Sequence, residues 1–197
     1  MFCCFNTTYK ITPTIFYSWA RILKQVENSV LIVYANNEAS KANLSEEIKL
    51  RGVHPSRLIF GDSLPKPKYL ARYRTADLFL DTHPYNAGTT ASDALKMGLP
   101  MITYLGNSYQ ARMGASIVKA LNLPELITNS LEEYEALAIE LATNPEKMQA
   151  IKDKLASNLT TAPLYNTKLF VKNLESAYTT MYERHHEGLE PDHIYVE

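Results

Sequence analysis

The run Val30-Leu31-Ile32-Val33-Tyr34 decides the fold class, because it is continuously apolar and is bounded by Asn28 and by Asn36-Asn37. A short run without polar alternation is typical of a strand buried on both faces, which favours a parallel sheet covered by helices. A helix precedes it: Thr12-Pro13 forms a cap with proline at the first helical position. Apolar residues then recur at helical spacing, at Ile15, Phe16, Trp19, Ile22, Leu23 and Val26.

The alternation of helices and strands continues on both sides of this run. Phe2-Cys3-Cys4-Phe5 is predicted to be the first strand, and later strands are predicted at residues 58–60, 78–80 and 101–104. Helices are predicted near residues 45–50, 68–74 and 90–97. Strands that alternate with helices on short connections predict an α/β fold, a Rossmann-like doubly wound parallel sheet with helices on both faces.

After Tyr104 the chain is predicted to be mainly helical. Ser130-Leu131-Glu132-Glu133 has the pattern of a capping box, and Asn144-Pro145 is a second helix start. A last helix over residues 166–186 carries an apolar stripe, so it is expected to pack against another surface, such as a second domain. We expect a Rossmann-like domain at residues 1–160, a C-terminal packing helix at 161–187 and an exposed tail at 188–197. The stripe consists of Phe170, Leu174, Tyr178, Met181 and Tyr182.

Composition excludes several functional classes. The chain has 197 residues, 46% hydrophobic and 21% charged, with a formal net charge of -1. This charge gives no general attraction for nucleic acid or anionic lipid, so neither a nucleic acid nor a membrane partner is expected. The apolar runs are shorter than the roughly 20 residues of a membrane span, and no leader pattern is visible, which favours the cytoplasm. The adjacent Cys3 and Cys4 cannot form a disulfide framework and are expected to be buried in a strand.

Residues 86–93, Asn86-Ala87-Gly88-Thr89-Thr90-Ala91-Ser92-Asp93, follow the strand ending at Asp81 and open a helix. This places them at the carboxyl edge of the sheet, where ligands of such folds bind. The unpaired N–H groups of a helix start attract anions, and Gly88 lacks a side chain that would keep a phosphate away. A diphosphate site is therefore predicted. The alternative is that Thr90 and Asp93 form only a local capping box.

Two lysines project from the same edge. Lys10 follows the first strand, and Lys66 follows the third strand in Leu64-Pro65-Lys66-Pro67-Lys68-Tyr69. A lysine there can neutralise the charge that develops on a departing nucleoside diphosphate, without a metal. The alternative for each is an ordinary solvated lysine.

His83 is the remaining candidate, either as a base near the site or as a structural element before Pro84. The pair His185-His186 is expected to be a solvated helix end. The histidines and cysteines are too scattered for a zinc site, so no metal and no other cofactor is predicted. A Gly-x-Ser-x-Gly nucleophile motif is also absent from the sequence.

Several motifs occur in the order found in one known family. Residues 5–10 (Phe-Asn-Thr-Thr-Tyr-Lys), 76–82, 86–93 and 162–168, together with Pro191-Asp192-His193-Ile194, resemble the carboxyl-terminal part of the O-linked N-acetylglucosamine transferases, including the SPINDLY-like members. The resemblance covers nearly the whole chain. It implies one lobe of a GT-B type glycosyltransferase, the lobe that holds the UDP-sugar, in an enzyme that inverts the sugar and needs no metal.

The resemblance also implies roles for individual residues. Lys10 is similar to the lysine that contacts the diphosphate and assists its departure, and it is the expected catalytic residue. Thr89 and Thr90 correspond to the phosphate-binding pair, and Lys66 and Asp93 to the ribose contacts. The remaining expected contacts of the UDP-sugar are Thr7, Leu64, Tyr69 and Gly88.

Three positions depart from the family pattern. Thr7 stands where many relatives have glutamine, Gly88 where they have histidine, and Tyr69 where a histidine packs on the uracil ring; Tyr69 can still stack. These departures leave the sugar open between N-acetylglucosamine and another hexose.

The function expected from the resemblance is transfer of a sugar from a UDP donor to serine or threonine hydroxyls of a polypeptide. The facing lobe and the helical repeats that present polypeptides in this family are missing from the sequence, which suggests a fragment. The alternatives are a noncatalytic or truncated nucleotide-sugar-binding module, and a transferase that uses another acceptor.

Overall fold

A computed structural model describes residues 1–196 of the chain as one parallel sheet with surrounding helices. The strand order is β3-β2-β1-β4-β5-β6, and every neighbouring pair is parallel. This is the Rossmann order, in which the chain direction across the sheet reverses between β1 and β4. The strands are β1 Phe2–Cys4, β2 Leu31–Tyr34, β3 Leu58–Gly61, β4 Leu78–Leu80, β5 Met101–Tyr104 and β6 Ile127–Thr128.

The connections between strands are mostly helical, as the alternating pattern predicts. Short 3-10 segments occur at Thr8–Lys10, Pro55–Arg57, Tyr73–Thr75, Pro124–Leu126 and Pro163–Tyr165. The α-helices are α1 Pro13–Gln25, α2 Glu38–Leu50, α3 Lys66–Arg72, α4 Thr89–Lys96, α5 Tyr109–Ala120, α6 Leu131–Thr143, α7 Pro145–Leu159 and α8 Thr167–His186.

The predicted helix starts at α1, α6 and α7 are confirmed by their caps. Thr12 accepts a hydrogen bond from the backbone N–H of Ile15, Ser130 from Glu133, and Asn144 from Lys147. The Glu133 carboxylate in turn accepts from the backbone N–H of Asn129 at 2.8 Å. Such caps satisfy N–H groups that have no partner inside the helix.

Two elements differ from the prediction. α2 begins at Glu38 rather than near residue 45, because the side chain of Asn37 caps its first turn. Only Ile48 of this helix is buried. With so little apolar face, its first turns carry no periodic signal. The short strand β6 was not predicted either, since its two residues lie between a 3-10 segment and a helix cap.

The core lies between the sheet and its helices. Trp19 on α1 and Tyr134 on α6 are fully buried, and the Trp19 indole N–H donates to the Tyr134 hydroxyl at 3.2 Å. Tyr134 donates onward to the backbone oxygen of Asp81 at 2.9 Å, which ties α1 and α6 to the end of β4. Cys3 and Cys4 are buried as expected, and burial raises the pKa of both thiols.

The apolar stripe of α8 is exposed: Phe170 is 63% exposed and Tyr182 66%. The prediction that this helix packs against another surface therefore stays a prediction. The 3-10 segment before it is attached to the domain, because the Tyr165 hydroxyl donates to the Ser92 oxygen at 2.7 Å. Residues 188–196 are mostly exposed, in line with the predicted tail, whose last residue, 197, lies outside the described residues. Among the described helices, none is both long and apolar enough to cross a membrane.

Candidate functional site

A cleft of about 410 Å³ opens at the carboxyl ends of β1 and β4, the two strands between which the strand order reverses. Four structural segments line it: the end of β1, the loop after β4, the first turn of α4 and the first turn of α5. The lining residues are Phe5, Asn6, Thr7, Tyr9, Lys10, Tyr85, Asn86, Gly88, Thr89, Thr90, Tyr109, Gln110 and Met113. The cleft therefore brings together Thr7, Lys10, Gly88, Thr89 and Thr90 of the predicted site.

Lys10 is held at the wall of this cleft. It ends the 3-10 segment after β1, and its Nζ donates to the backbone oxygen of Asn86 at 3.0 Å. The same ammonium lies 3.9 Å from the ring centroid of Tyr85, a cation–π distance. An ammonium has three N–H donors, so two remain for a ligand. These contacts argue against the interpretation of Lys10 as a freely solvated lysine.

The first turn of α4 faces the same cleft. The helix begins at Thr89, with Gly88 as N-cap and no side-chain cap. The Thr89 side chain is exposed, whereas the Thr90 hydroxyl donates to the amide oxygen of Asn6. A Cβ at Gly88 would meet only Met113 Cγ, at 3.8 Å, which is ordinary contact. The protein itself therefore leaves room for a side chain at this position.

The capping-box alternative for Thr90 and Asp93 is wrong. Thr90 is the second residue inside the helix, and Asp93 forms an ion pair with Lys66 instead, with Nζ and Oδ2 2.6 Å apart. Lys66 is the first residue of α3 and Asp93 is the fifth residue of α4, so this pair joins the start of α3 to the middle of α4.

Lys66, Tyr69, Asp93 and Leu64 lie beside the cleft rather than in its lining. The Lys66 ammonium is 4.9 Å from the Tyr69 ring centroid, and Leu64 is 38% exposed. Hydrogen bonds connect this second group to the first, because the Tyr69 hydroxyl bonds to that of Tyr73, which donates to the Thr90 backbone oxygen at 3.3 Å. These bonds pass through Tyr73, which is fully buried, so they fix the two groups relative to each other.

Buried polar residues behind the cleft were not predicted as functional. Asp81 is 1% exposed, and its Oδ1 accepts from the backbone N–H of Thr82 at 2.8 Å and of Ala87 at 2.7 Å. Burial raises the pKa of Asp81 to about 6, although donors including Thr103 and Ala87 oppose the shift. Asn86, also buried, donates to the Thr82 oxygen at 2.7 Å. These bonds fix the loop from Thr82 to Gly88.

His83 serves the structure at this point. Its ring stacks on Tyr104 with centroids 4.0 Å apart, and Nδ1 lies 3.3 Å from the Tyr104 backbone oxygen. Burial lowers the pKa of this histidine. The ring is absent from the cleft lining, which favours the structural interpretation over a catalytic base.

Eight of the lining residues were not predicted as site residues from the sequence. Four of them lie within quoted motifs, which was an available signal: Phe5, Asn6, Tyr9 and Asn86. Tyr85 lies between two of those motifs, directly before Asn86. The others come from the start of α5, whose bounds the sequence did not predict; they are Tyr109, Gln110 and Met113. Within the described residues, no group of His, Cys, Asp and Glu is arranged to hold a metal ion.

The Rossmann strand order, with a lysine and an open helix start at the switch point, defines a doubly wound α/β domain with a candidate phosphate site. The family model described as glycosyl transferase family 41 matches residues 1–174. The chain therefore belongs to glycosyl transferase family 41.

Curated relatives and a solved structure agree with this membership. The chain is 39% identical, over its whole length and 20% of the relative, to the probable UDP-N-acetylglucosamine–peptide N-acetylglucosaminyltransferase SEC of Arabidopsis thaliana. It is 31% identical to the UDP-N-acetylglucosamine–peptide N-acetylglucosaminyltransferase of Caenorhabditis elegans, covering 98% of this chain and 17% of that one. A mutant O-GlcNAc transferase of Thermobaculum terrenum superposes with a TM-score of 0.86 at 30% identity, covering 92% of this chain and 35% of that chain. The chain thus spans about a fifth of the length of these curated relatives.

Proposed function

We propose that this chain is the donor-binding lobe of a glycosyltransferase that moves N-acetylglucosamine from UDP-N-acetylglucosamine to serine or threonine hydroxyls of polypeptides. The observation that carries the proposal is the convergence of Lys10 and the α4 start on one cleft at the sheet switch point. The names of the Arabidopsis and Caenorhabditis relatives, which specify UDP-N-acetylglucosamine and a peptide acceptor, support this donor and this acceptor. The acceptor side is supplied by a facing lobe, and the proposed compartment is the cytoplasm.

In the proposed complex the diphosphate lies in the cleft. The unpaired N–H groups at the start of α4 and the Thr89 hydroxyl donate to its oxygens, and Thr7 and Gly88 border them. Lys66 and Asp93 contact the ribose, while Tyr69 stacks on the uracil ring and Leu64 packs beside it. The Tyr69–Tyr73–Thr90 hydrogen bonds, which join the two groups, support a ligand that contacts both.

The proposed chemistry needs no metal or other cofactor. When the acceptor hydroxyl attacks the anomeric carbon, its proton passes to a base on the acceptor side, the bond to the UDP oxygen breaks, and negative charge accumulates on the diphosphate. The Lys10 ammonium, already oriented by Asn86 and Tyr85, stabilises that charge with its two remaining donors. Attack from the face opposite the leaving group inverts the anomeric configuration.

Calorimetric titration of the chain with UDP tests the donor site. We expect saturable binding that Lys10→Ala and Asp93→Ala each weaken by about tenfold, the size expected when a charge-assisted hydrogen bond is lost. Lys24→Ala is the matched control, because Lys24 is an exposed lysine on α1, away from the cleft. A folded wild-type chain that does not bind UDP would contradict the proposal.

Competition with UDP-N-acetylglucosamine and UDP-glucose then ranks the sugars. The proposal expects the first to compete more strongly, whereas equal competition would favour another hexose or a site that reads only UDP. The alternative function, a nucleotide-sugar-binding module without turnover, predicts UDP binding but no sugar transfer to a peptide even when the facing lobe is supplied.

A further inference from the structure

The side chain of Asn6 joins the start of α4 to the loop after β4. Asn6 lies two residues after the end of β1 and is 1% exposed. Its amide oxygen accepts a hydrogen bond from the Thr90 hydroxyl. Its amide nitrogen donates to Thr82 Oγ1 at 2.8 Å and to Asp81 Oδ1 at 3.3 Å. One buried carboxamide therefore contacts both segments that form the floor of the cleft.

Asp81 determines which way this carboxamide points. An ionised carboxylate oxygen only accepts hydrogen bonds, so the amide nitrogen of Asn6 must face Asp81 Oδ1 and the amide oxygen must face Thr90. The opposite orientation would set two acceptors against each other in a buried environment. The carboxylate is itself fixed, because Oδ1 accepts from the Thr82 and Ala87 N–H groups and Oδ2 accepts from Thr103 Oγ1 at 2.7 Å.

We propose that Asn6, oriented by Asp81, is a positioning residue that sets the α4 start against the loop after β4 for binding of the donor diphosphate. The inference rests on the proposed function and adds to it two buried residues to which that function assigns no role. It also assigns different roles to the two threonines: Thr90 donates its hydroxyl proton inward to Asn6, so Thr89 is the threonine whose hydroxyl donates to the ligand.

The variant Asn6→Asp tests the role of the amide nitrogen. The aspartate has nearly the same size and keeps an acceptor oxygen toward Thr90. Its second carboxyl oxygen replaces the amide nitrogen that donates to Asp81. Two carboxyl groups so close share one proton, and that proton replaces the lost N–H. As the pH rises the shared proton leaves, and the two charges repel each other across the floor of the cleft.

The other charged or titratable groups around this pair are Cys4 on β1, Tyr134 on α6 and Lys10 at the cleft wall. Burial raises the pKa of the Cys4 thiol and of the Tyr134 hydroxyl, so neither ionises near neutral pH. In the same loop, burial lowers the pKa of His83 below the ordinary histidine value, so its ring is neutral at neutral pH. The carboxyl pair is accordingly the group expected to titrate between about pH 6 and 8.5 in the variant.

UDP affinity is measured calorimetrically at about pH 6, 7 and 8.5 for the wild type and the variants. The affinity of each variant is divided by that of the wild type at the same pH, which cancels the effect of nucleotide titration. We expect Asn6→Asp to bind within about threefold of the wild type at the lowest pH and at least about tenfold more weakly at the highest. Asp81→Asn retains an acceptor oxygen toward Asn6 and should stay within about threefold throughout.

The double variant Asn6→Asp, Asp81→Asn carries only one charge, so it should regain at least part of the affinity lost at the highest pH. Asn158→Asp is the matched control: its amide donates to the Leu121 oxygen at 2.8 Å on the remote α7, and no pH-dependent ratio is expected. Urea unfolding at each pH establishes that every variant is folded during the titration.

Three outcomes would overturn the inference. They are a pH-independent ratio for Asn6→Asp, a loss that Asp81→Asn does not relieve in the double variant, and a loss of tenfold or more in folded Asp81→Asn alone. If Asn6→Asp does not fold, Asn6→Ala takes its place: it removes every hydrogen bond of the carboxamide, so a folded Asn6→Ala chain that binds UDP as the wild type does overturns the inference. A wild type that binds no UDP overturns the proposed function and the positioning role with it, whereas a wild type that binds alongside an unaffected Asn6→Asp overturns the inference alone.

Discussion

Lys66 Nζ lies 2.6 Å from Asp93 Oδ2. This ion pair joins the first residue of α3 to α4, the helix whose first turn faces the cleft. The Lys66 side chain is 60% exposed and the Asp93 side chain 17%, so solvent screens the pair. Exposed pairs contribute less than about 1 kcal/mol to stability. The pair is therefore better explained by the position it gives the two side chains than by a contribution to folding.

This position predicts a difference between uridine and inorganic diphosphate as ligands. We expect Asp93→Asn and Lys66→Met each to weaken uridine binding about tenfold, because both contact the ribose in the proposed complex, and to change diphosphate binding little. Calorimetry with the two ligands measures this. Lys154→Met is the matched control, since Lys154 forms a similar pair with Glu125 at 2.7 Å on the opposite part of the chain. Equal losses for both ligands would contradict the ribose assignment.

The two threonines at the start of α4 predict a separation of binding from stability. Thr89→Val removes an exposed hydroxyl and should weaken UDP binding about tenfold with little change in the free energy of unfolding. Thr90→Val leaves the buried amide oxygen of Asn6 without its donor and should lower the free energy of unfolding by about 1–2 kcal/mol. UDP titration and urea unfolding of both variants check this. The reverse pattern would show that Thr90 donates to the ligand.

Gly88 offers a test of the departure from the family pattern. A Cβ there would be in ordinary contact with Met113 Cγ, so Gly88→His should leave the free energy of unfolding within about 0.5 kcal/mol of the wild type. An imidazole at the phosphate site adds a donor, so UDP binding should tighten several-fold. Gly98→His is a useful control because Gly98, which has a φ of +81°, lies in open space after α4 and should be destabilised instead. Weaker UDP binding in Gly88→His would mean that the ligand itself occupies this space.

The sequence predicted the parallel sheet because its strands are continuous apolar runs, which are typical of strands covered by helices on both faces. In the structure, Leu31 and Val33 of β2 are fully buried, whereas Ile32 and Tyr34 are only half-buried. The convergence of Lys10 and the Thr89-Thr90 pair also followed from their positions after predicted strands, since carboxyl ends of parallel strands share an edge. The sequence did not predict the hydrogen-bond partners of these side chains. Thr90 and Asp93 have capping-box spacing, yet their partners, Asn6 and Lys66, come from segments 84 and 27 residues away in the chain.

The buried carboxylate of Asp81 escaped prediction for the same reason. A strand-ending aspartate can be exposed or buried, and only the tertiary structure brings Thr103, Ala87 and Asn6 around it. The contribution of α5 to the cleft escaped because Tyr109 and Gln110 belong to no periodic or motif signal. Local patterns thus identified the elements, while long-range contacts determined the details of the site.

Asp81 predicts an unusual dependence of stability on pH. Burial raises its pKa to about 6, above the ordinary aspartate value near 3.8, so the folded chain binds more protons than the unfolded chain between these two values. Stability attributable to this group must therefore fall as the pH rises through that window, and the cost is fully present above about pH 6.

Asp81→Asn removes the titrating group but keeps an amide that can accept from Ala87 and donate to Thr103. We expect the wild type to gain on the order of 2 kcal/mol relative to Asp81→Asn as the pH falls from about 7.5 to 4. Urea unfolding of both proteins across this range measures the difference. A difference that stays constant, or that changes in the opposite direction, would show that hydrogen bonds from the loop compensate the burial of the carboxylate.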